Sequence, residues 1–261
     1  LVGAGPGDPG LLTRKAEGLI AAATVIFHDA LVGPGILDLA GPGARLVPVG
    51  KRSGRHSKDQ RAINELLVEA ALAGERVVRL KGGDPSIFGR SAEEIQALRG
   101  HGIRVCICPG ITAASAAAAS AGLSLTLRGL SRKLVFITAH ARAGEPLDLD
   151  WAALADPEAT LAIYMGKAAG RWISGQLVAA GLPAATPAMI VENASLPNER
   201  IVRTTLALLE IAAASAVTDG PAILLVGSAI DTATGISASA LSADAWQAMI
   251  CKVALSKQTG E

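Results

Sequence analysis

Five clusters carry residues whose types and spacing could do chemistry: Gly3-Ala4-Gly5-Pro6-Gly7, Asp29, Gly50-Lys51-Arg52, Gly82-Gly83-Asp84-Pro85 and Pro109-Gly110-Ile111-Thr112. Glycines let backbone N–H groups approach a ligand closely, and helix N-termini favour negative charge, so such loops suit a nucleotide-like or carboxylate-bearing cofactor. A dinucleotide reading takes Gly3-x-Gly5 as the start of GxGxxG, with Asp29 as the ribose carboxylate. Against it, position 8 is Asp, Pro6 removes an N–H that a pyrophosphate would use, and the Gly82-Gly83 turn has no part in the scheme. An NAD-dependent oxidoreductase is therefore the minor alternative. His28, His56, His101 and His140 lack metal-ligand spacing, so no metal is expected, and neither a GxSxG elbow nor a Walker loop occurs.

The elements that must position these clusters follow one theme: short apolar runs ending in Gly, Pro or Asp, each followed by a helix-like stretch, as in parallel α/β units. Strands are expected at Leu1-Val2, 24–27, 46–49, 76–80 and 105–108. Asp8 is placed to cap a helix with Pro9 at its first position, running to about Ala22. Capping-box spacing at Ser57-Lys58-Asp59-Gln60 opens a helix that stops near Gly74, and at Ser91-Ala92-Glu93-Glu94 one that ends near Gly100 to Gly102. That box gives Glu94 a structural place and leaves Glu93 free to face a ligand. An Ala-rich helix follows over 112–121. In this frame every cluster falls just past the carboxyl end of a strand, where open α/β sheets build their sites.

A second set of strands is expected at 134–138, 161–165, 188–192, 200–204 and 222–226. The expected organisation is therefore two α/β domains with a cleft between them, the first a mainly parallel sheet flanked by helices. An N-terminal domain covers 1–125 and a C-terminal one 132–230, with a hinge at 122–131. A tail over 231–261 has a possible helix at 244–255 and no readable role.

The chain has 261 residues, half of them hydrophobic, which is ample for two cores. Its 24 basic and 23 acidic side chains nearly cancel, so no global field draws nucleic acid or an anionic membrane. The uncharged stretch between Arg104 and Arg128 is broken by Pro109-Gly110 and Gly122, and reads as a buried strand and helix rather than a membrane span. Cys106 and Cys108 fall on one face of the expected strand as reduced core thiols. No basic-then-apolar leader is present, which fits a cytoplasmic protein.

Taken in order, Val2-Gly3-Ala4-Gly5-Pro6-Gly7-Asp8, Gly50-Lys51-Arg52, Arg79-Leu80-Lys81-Gly82-Gly83-Asp84-Pro85, Pro109-Gly110-Ile111-Thr112-Ala113, Tyr164-Met165-Gly166 and Val191-Glu192-Asn193 resemble the uroporphyrinogen-III C-methyltransferase family of tetrapyrrole methylases. The resemblance covers roughly residues 1–227. It implies S-adenosylmethionine bound in the interdomain cleft, S-adenosylhomocysteine as product, a homodimer, and two successive methylations of uroporphyrinogen III to precorrin-2, in the siroheme and cobalamin branch. Cofactor contacts carried over by motif are Pro6, Gly82, Gly83, Asp84, Ile87, Thr112, Ala113 and Met165, with Ala194 where the family usually has Gly. Asp29 matches the family's proton acceptor and Lys51 its proton donor. Arg90, Glu93, Arg128 and Met165 match positions facing the tetrapyrrole.

The implied chemistry joins an electrophilic sulfonium methyl to an electron-rich pyrrole carbon, which needs alignment more than covalent help. The substrate's carboxylates suit the planar fork of arginine, and Arg52, Arg55, Arg90, Arg128 and Arg132 form the candidate set. Three motifs depart from the family: Ser91-Ala92 replaces Gly-Gly, Leu127-Arg128-Gly129 replaces His-Arg-Asp, and Ala139-His140 replaces Gly-His. The alternatives that remain are a methyltransferase of a later precorrin and a binding protein without turnover.

Overall fold

A computed structural model describes residues 1–50, 59–140, 147–216, 218 and 220–232. Its internal contacts divide the chain into two units. The first is Leu1–Ala116 with Glu192–Leu196 and Thr218–Ile223; the second is built mainly from Ala117–Val191, completed by residues after Pro197 and after Leu224.

The first unit holds a wholly parallel sheet of β1 (Val2–Gly3), β2 (Val25–His28), β3 (Arg45–Pro48) and β4 (Val77–Lys81), in the order β1-β4-β2-β3. Side chains alternate across a strand, and both faces of this sheet are covered. On one face Ile26, Val78 and Leu80 pack with Ala16 and Ile20 of α1 (Arg14–Ala22) and Ile36 of α2 (Pro34–Leu37). On the other, Val25 and Phe27 pack with Ile63 and Leu67 of α3 (Gln60–Leu72) and Leu98 of α4 (Ser91–Gly100). Each such buried Val, Leu, Ile or Phe side chain contributes about 1.5–3 kcal/mol. β3 ends the sheet, and its Pro48, which has no N–H to donate, is tolerated at that edge.

Four expectations need correction. Asp8 does cap through its side chain, accepting from Gly10 N at 2.8 Å, but only a 3-10 turn over Pro9–Leu11. Leu12 and Thr13 are extended, and Thr13 then caps α1 afresh by accepting from Ala16 N, so the expected single helix to Ala22 is two elements. At α3 the cap is Asp59, which accepts from Ala62 N at 2.7 Å; Ser57 lies outside the described residues. At α4 the residue before the helix is Arg90, in the left-handed region at φ 53°, and Ser91 is already helical. The Ser91 hydroxyl donates to Pro85 O instead of capping. Finally, 105–108 is not a strand. The described β1 spans two residues and forms a single bridge there, Val2 to Cys108, so Cys108 is buried while Cys106 is exposed.

The second unit carries the sheet β5-β6-β9-β7-β8, formed by β5 (Lys133–Thr138), β6 (Ala159–Tyr164), β7 (Pro187–Glu192), β8 (Arg200–Thr205) and β9 (Ala222–Val226). The strand positions expected from the apolar runs all hold, with β5 and β6 parallel. The Ala-rich α5 (Ala113–Ala121) precedes this sheet. Trp151 of α6 (Trp151–Leu154) meets Trp172 of α7 (Gly170–Ala179) edge to face at 5.0 Å, and α7 packs on α8 (Leu209–Ala216). Among the described residues no helix is long and apolar enough to cross a membrane. The helix expected at 244–255 lies outside them.

Candidate active site

Because β1, β2 and β4 run parallel, the segments after them emerge at one edge of the sheet, and there the glycine-rich loops interlock. Gly5 and Gly83 exchange backbone hydrogen bonds, Gly83 N to Gly5 O at 2.7 Å and Gly5 N to Gly83 O at 3.2 Å. A Cβ on Gly3 would sit 2.5 Å from Gly110 N, and one on Gly110 would sit 2.3 Å from Gly83 O, so any side chain at either position would push the loops apart. Gly5 and Gly83 also hold φ at 67°, a conformation glycine adopts without steric cost. The Asp84 carboxylate joins two of the loops. One oxygen accepts from Ser86 N within its own turn, and the other accepts from Gly110 N at 3.0 Å.

A fourth segment arrives from far along the chain. Ser195 Oγ accepts from Asp8 N at 3.2 Å, and the Leu196 side chain fills the space where a Cβ on Gly7 would be. Ala194, between buried Asn193 and Ser195, is itself buried. Glu192 anchors the segment: its buried carboxylate accepts from the Thr218 and Gly220 N–H groups and the Thr218 hydroxyl. Gly83 and Asp84 bond across these loops, Pro6, Gly82 and Ala194 lie within the same segments, and Ile87 N donates to Asp84 O inside its own turn, while Thr112 and Ala113 follow Gly110 and Ile111 where α5 begins. Met165 follows β6 in the second unit, half-exposed and at φ 56°.

Asp29 lies just past β2, with its side chain 27 % exposed. Its Oδ1 accepts from Arg79 Nη2 at 2.5 Å. Arg79 is itself buried and also pairs with Glu94, Nε to Oε1 at 3.0 Å. The Lys81 ammonium donates to both Glu94 oxygens, at 2.9 and 3.0 Å. Loss of water around Lys81, reinforced by the nearby Arg79 cation and opposed by Glu94, holds its pKa below the ordinary lysine value. Glu94 is thus not a helix cap. It is the centre of a buried charge cluster at the carboxyl end of β4, and long-range pairing has displaced the local capping role.

Gly50 abuts Asp29, since a Cβ there would lie 2.8 Å from Asp29 Cα; Lys51, the next residue, lies outside the described residues, as do Arg52 and Arg55. Glu93 is not free. It grips Arg90 with both oxygens at 2.7 Å, which raises the Arg90 pKa above its ordinary value. Arg128 is exposed in the turn closed by Leu127 and Ser131. Among the described residues no group of three or more His, Cys, Asp or Glu side chains could hold a metal ion.

The model of the tetrapyrrole (corrin/porphyrin) methylases matches residues 1–210. The chain belongs to the tetrapyrrole methylase family. A uroporphyrinogen-III C-methyltransferase of Paracoccus denitrificans is 47% identical over 87% of this chain and 79% of its own length. A siroheme synthase 1 of Yersinia enterocolitica is 48% identical over 88% of this chain and 48% of its own length. The chain spans about half the length of the siroheme synthases it matches. The crystal structure of a uroporphyrin-III C-methyltransferase from Thermus thermophilus, complexed with S-adenosylhomocysteine, superposes with a TM-score of 0.75 at 38% identity, covering 88% of this chain and 97% of that one.

Arg79 and Lys81 stand in the motif over 79–85 without an assigned role, although the sequence held a signal for one. They stand two apart in the otherwise apolar run Val77–Lys81, hence on one face of a strand expected to be buried on both sides, where unpaired charge is rarely tolerated. Such a pattern calls for a buried carboxylate on the covering helix.

Proposed function

We propose that this chain is an S-adenosylmethionine-dependent methyltransferase that methylates two ring carbons of uroporphyrinogen III to give precorrin-2, feeding siroheme or cobalamin synthesis. The observation that carries the reading is the interlocked set of Gly3–Gly7, Gly82–Asp84, Pro109–Ala113 and Glu192–Leu196 in a chain of this family. The residues fit the cofactor: close-packed glycine backbone leaves an approach free of side chains, and over Gly83 a Cβ would meet nothing within 4 Å. Pro6, Gly82, Gly83, Asp84, Ile87, Thr112, Ala113, Met165 and Ala194 would hold it. When bound it supplies the electrophilic methyl group.

What the chain's residues then do is align and move a proton. Asp29, ionically held at one oxygen and open to solvent, accepts the proton that the tetrapyrrole releases, a contribution of the order of 10²- to 10⁴-fold. Lys51 serves as proton donor. Arg90, oriented by Glu93, and Arg128 receive substrate carboxylates by charge-assisted hydrogen bonds. A homodimer in the cytoplasm, acting on a small tetrapyrrole and not on nucleic acid or membrane, completes the reading. The near-balanced charge supports the reading against nucleic acid and anionic membrane.

Incubation with uroporphyrinogen III and S-adenosylmethionine is expected to yield a tetrapyrrole heavier by two methyl groups by mass spectrometry, and no mass gain would overturn the proposal. The substituted Ser91-Ala92 and Leu127-Arg128-Gly129 motifs favour one second reading, a methyltransferase of a later precorrin. Competition between uroporphyrinogen III and a precorrin separates the two by which substrate gains mass first.

A further inference from the structure

The proposed chemistry uses Asp29 but leaves Glu94 without a task, although Glu94 is completely buried and ionically paired to two cations. We propose that Glu94 is a positioning residue for the proton transfer: it fixes Arg79, which holds Asp29 by one oxygen so that the other faces the substrate. This inference rests on Asp29 being the proton acceptor.

The geometry forms a rigid relay. Every nitrogen of the Arg79 guanidinium is committed: Nε to Glu94, Nη1 to the Phe27 and Leu80 carbonyls at 3.4 and 3.1 Å, and Nη2 to Asp29. A planar fork fixed at three corners cannot swing, which a lysine's single ammonium could not reproduce. Glu94 is in turn fixed by Lys81 at both oxygens and by Gln60 Nε2 at 3.4 Å, so α3, α4 and β4 together determine where Arg79 sits. Asp29 Oδ2 takes no hydrogen bond from a described residue.

Exposure runs in one direction along the relay. The side chains of Glu94, Arg79 and Lys81 are 0, 4 and 5 % exposed, against 27 % for Asp29. A cluster kept for stability alone would gain nothing from ending at an open carboxylate, and apolar replacements of buried ion pairs are commonly no less stable.

The test measures methyl transfer to uroporphyrinogen III and calorimetric affinity for S-adenosylhomocysteine in the full chain. The variants are Asp29→Asn, Glu94→Gln, Glu94→Asp, Asp29→Asn with Glu94→Gln, and Lys81→Met with Glu94→Gln. The last pair removes one charge of each sign, and serves should Glu94→Gln alone fail to fold. Glu94→Gln and the neutral pair are expected to lower kcat by about 10²-fold, with KM and cofactor affinity within about threefold of the parent. Glu94→Asp, which keeps the carboxylate, is expected to recover part of the loss. Added to Asp29→Asn, Glu94→Gln is expected to cost no further turnover, because both act through one group. Parental kcat in the folded Glu94 variants, or losses that multiply in the double variant, overturns the inference. If Asp29→Asn itself keeps parental turnover, the acceptor reading has failed and this inference with it. An inactive Asp29→Asn beside fully active Glu94 variants overturns the inference alone.

Discussion

β4 and β9 occupy equivalent places, each inside a sheet with strands on both sides and each buried from its second residue onward, yet their sequences differ in kind. β9 reads Ala-Ile-Leu-Leu-Val, all apolar, as burial demands. β4 reads Val-Val-Arg-Leu-Lys, and its two cations are balanced by Glu94 beneath it and Asp29 beside it. A strand built only to hold a sheet together has no reason to carry charge into the interior. The deviation lies at the carboxyl end of β4, beside Asp29 and directly before the Gly82-Gly83 turn, at the sheet edge where open α/β folds build their sites.

The comparison can be broken most severely by making β4 resemble β9. Arg79→Met, Lys81→Met and Glu94→Leu together should keep a cooperative unfolding transition while turnover falls at least about 10²-fold, since Asp29 loses its support. A triple variant with parental turnover would mean that the charges serve packing alone. Next in size, Glu94→Ala strands the buried Lys81 ammonium and leaves Arg79 with Asp29 as its remaining carboxylate, and should cost about 3–5 kcal/mol in denaturant unfolding. Leu224→Ala in β9 should cost about 2–5 kcal/mol by leaving a cavity, but with unchanged kcat per folded molecule. The smallest effect is a pH signature. Because the Lys81 pKa is lowered on folding, the unfolded chain binds more protons between that lowered value and the ordinary 10.5, so this residue's contribution to stability rises with pH across that window and is least favourable below it. Lys81→Met should flatten the rise in unfolding midpoint on the alkaline side as pH approaches the ordinary lysine value of 10.5.

The same contrast explains what the sequence revealed. β5, β6, β7, β8 and β9 were legible because apolar runs of strand length, bounded by turns, leave few alternatives. The loop cluster was legible because glycine is required where backbones approach within contact distance, as at Gly3, Gly83 and Gly110. Glu94 was misread because Ser91-x-x-Glu94 satisfies a local rule, whereas its partners Arg79 and Lys81 are fixed by tertiary packing that no short window contains. The two-part start of α1 was missed because Asp8 and Thr13 are both competent caps, and sequence alone does not say that both are used. The return of Glu192–Leu196 to the first unit was equally invisible, since it depends on hydrogen bonds to Asp8, Thr218 and Gly220 across long stretches of chain.

The most direct test is to supply S-adenosylmethionine carrying an isotopically labelled methyl group, with uroporphyrinogen III, and to locate the label in the product by NMR. The account predicts label on two ring carbons of the tetrapyrrole. Label confined to the donor, or attached to the side-chain carboxylates, would contradict it.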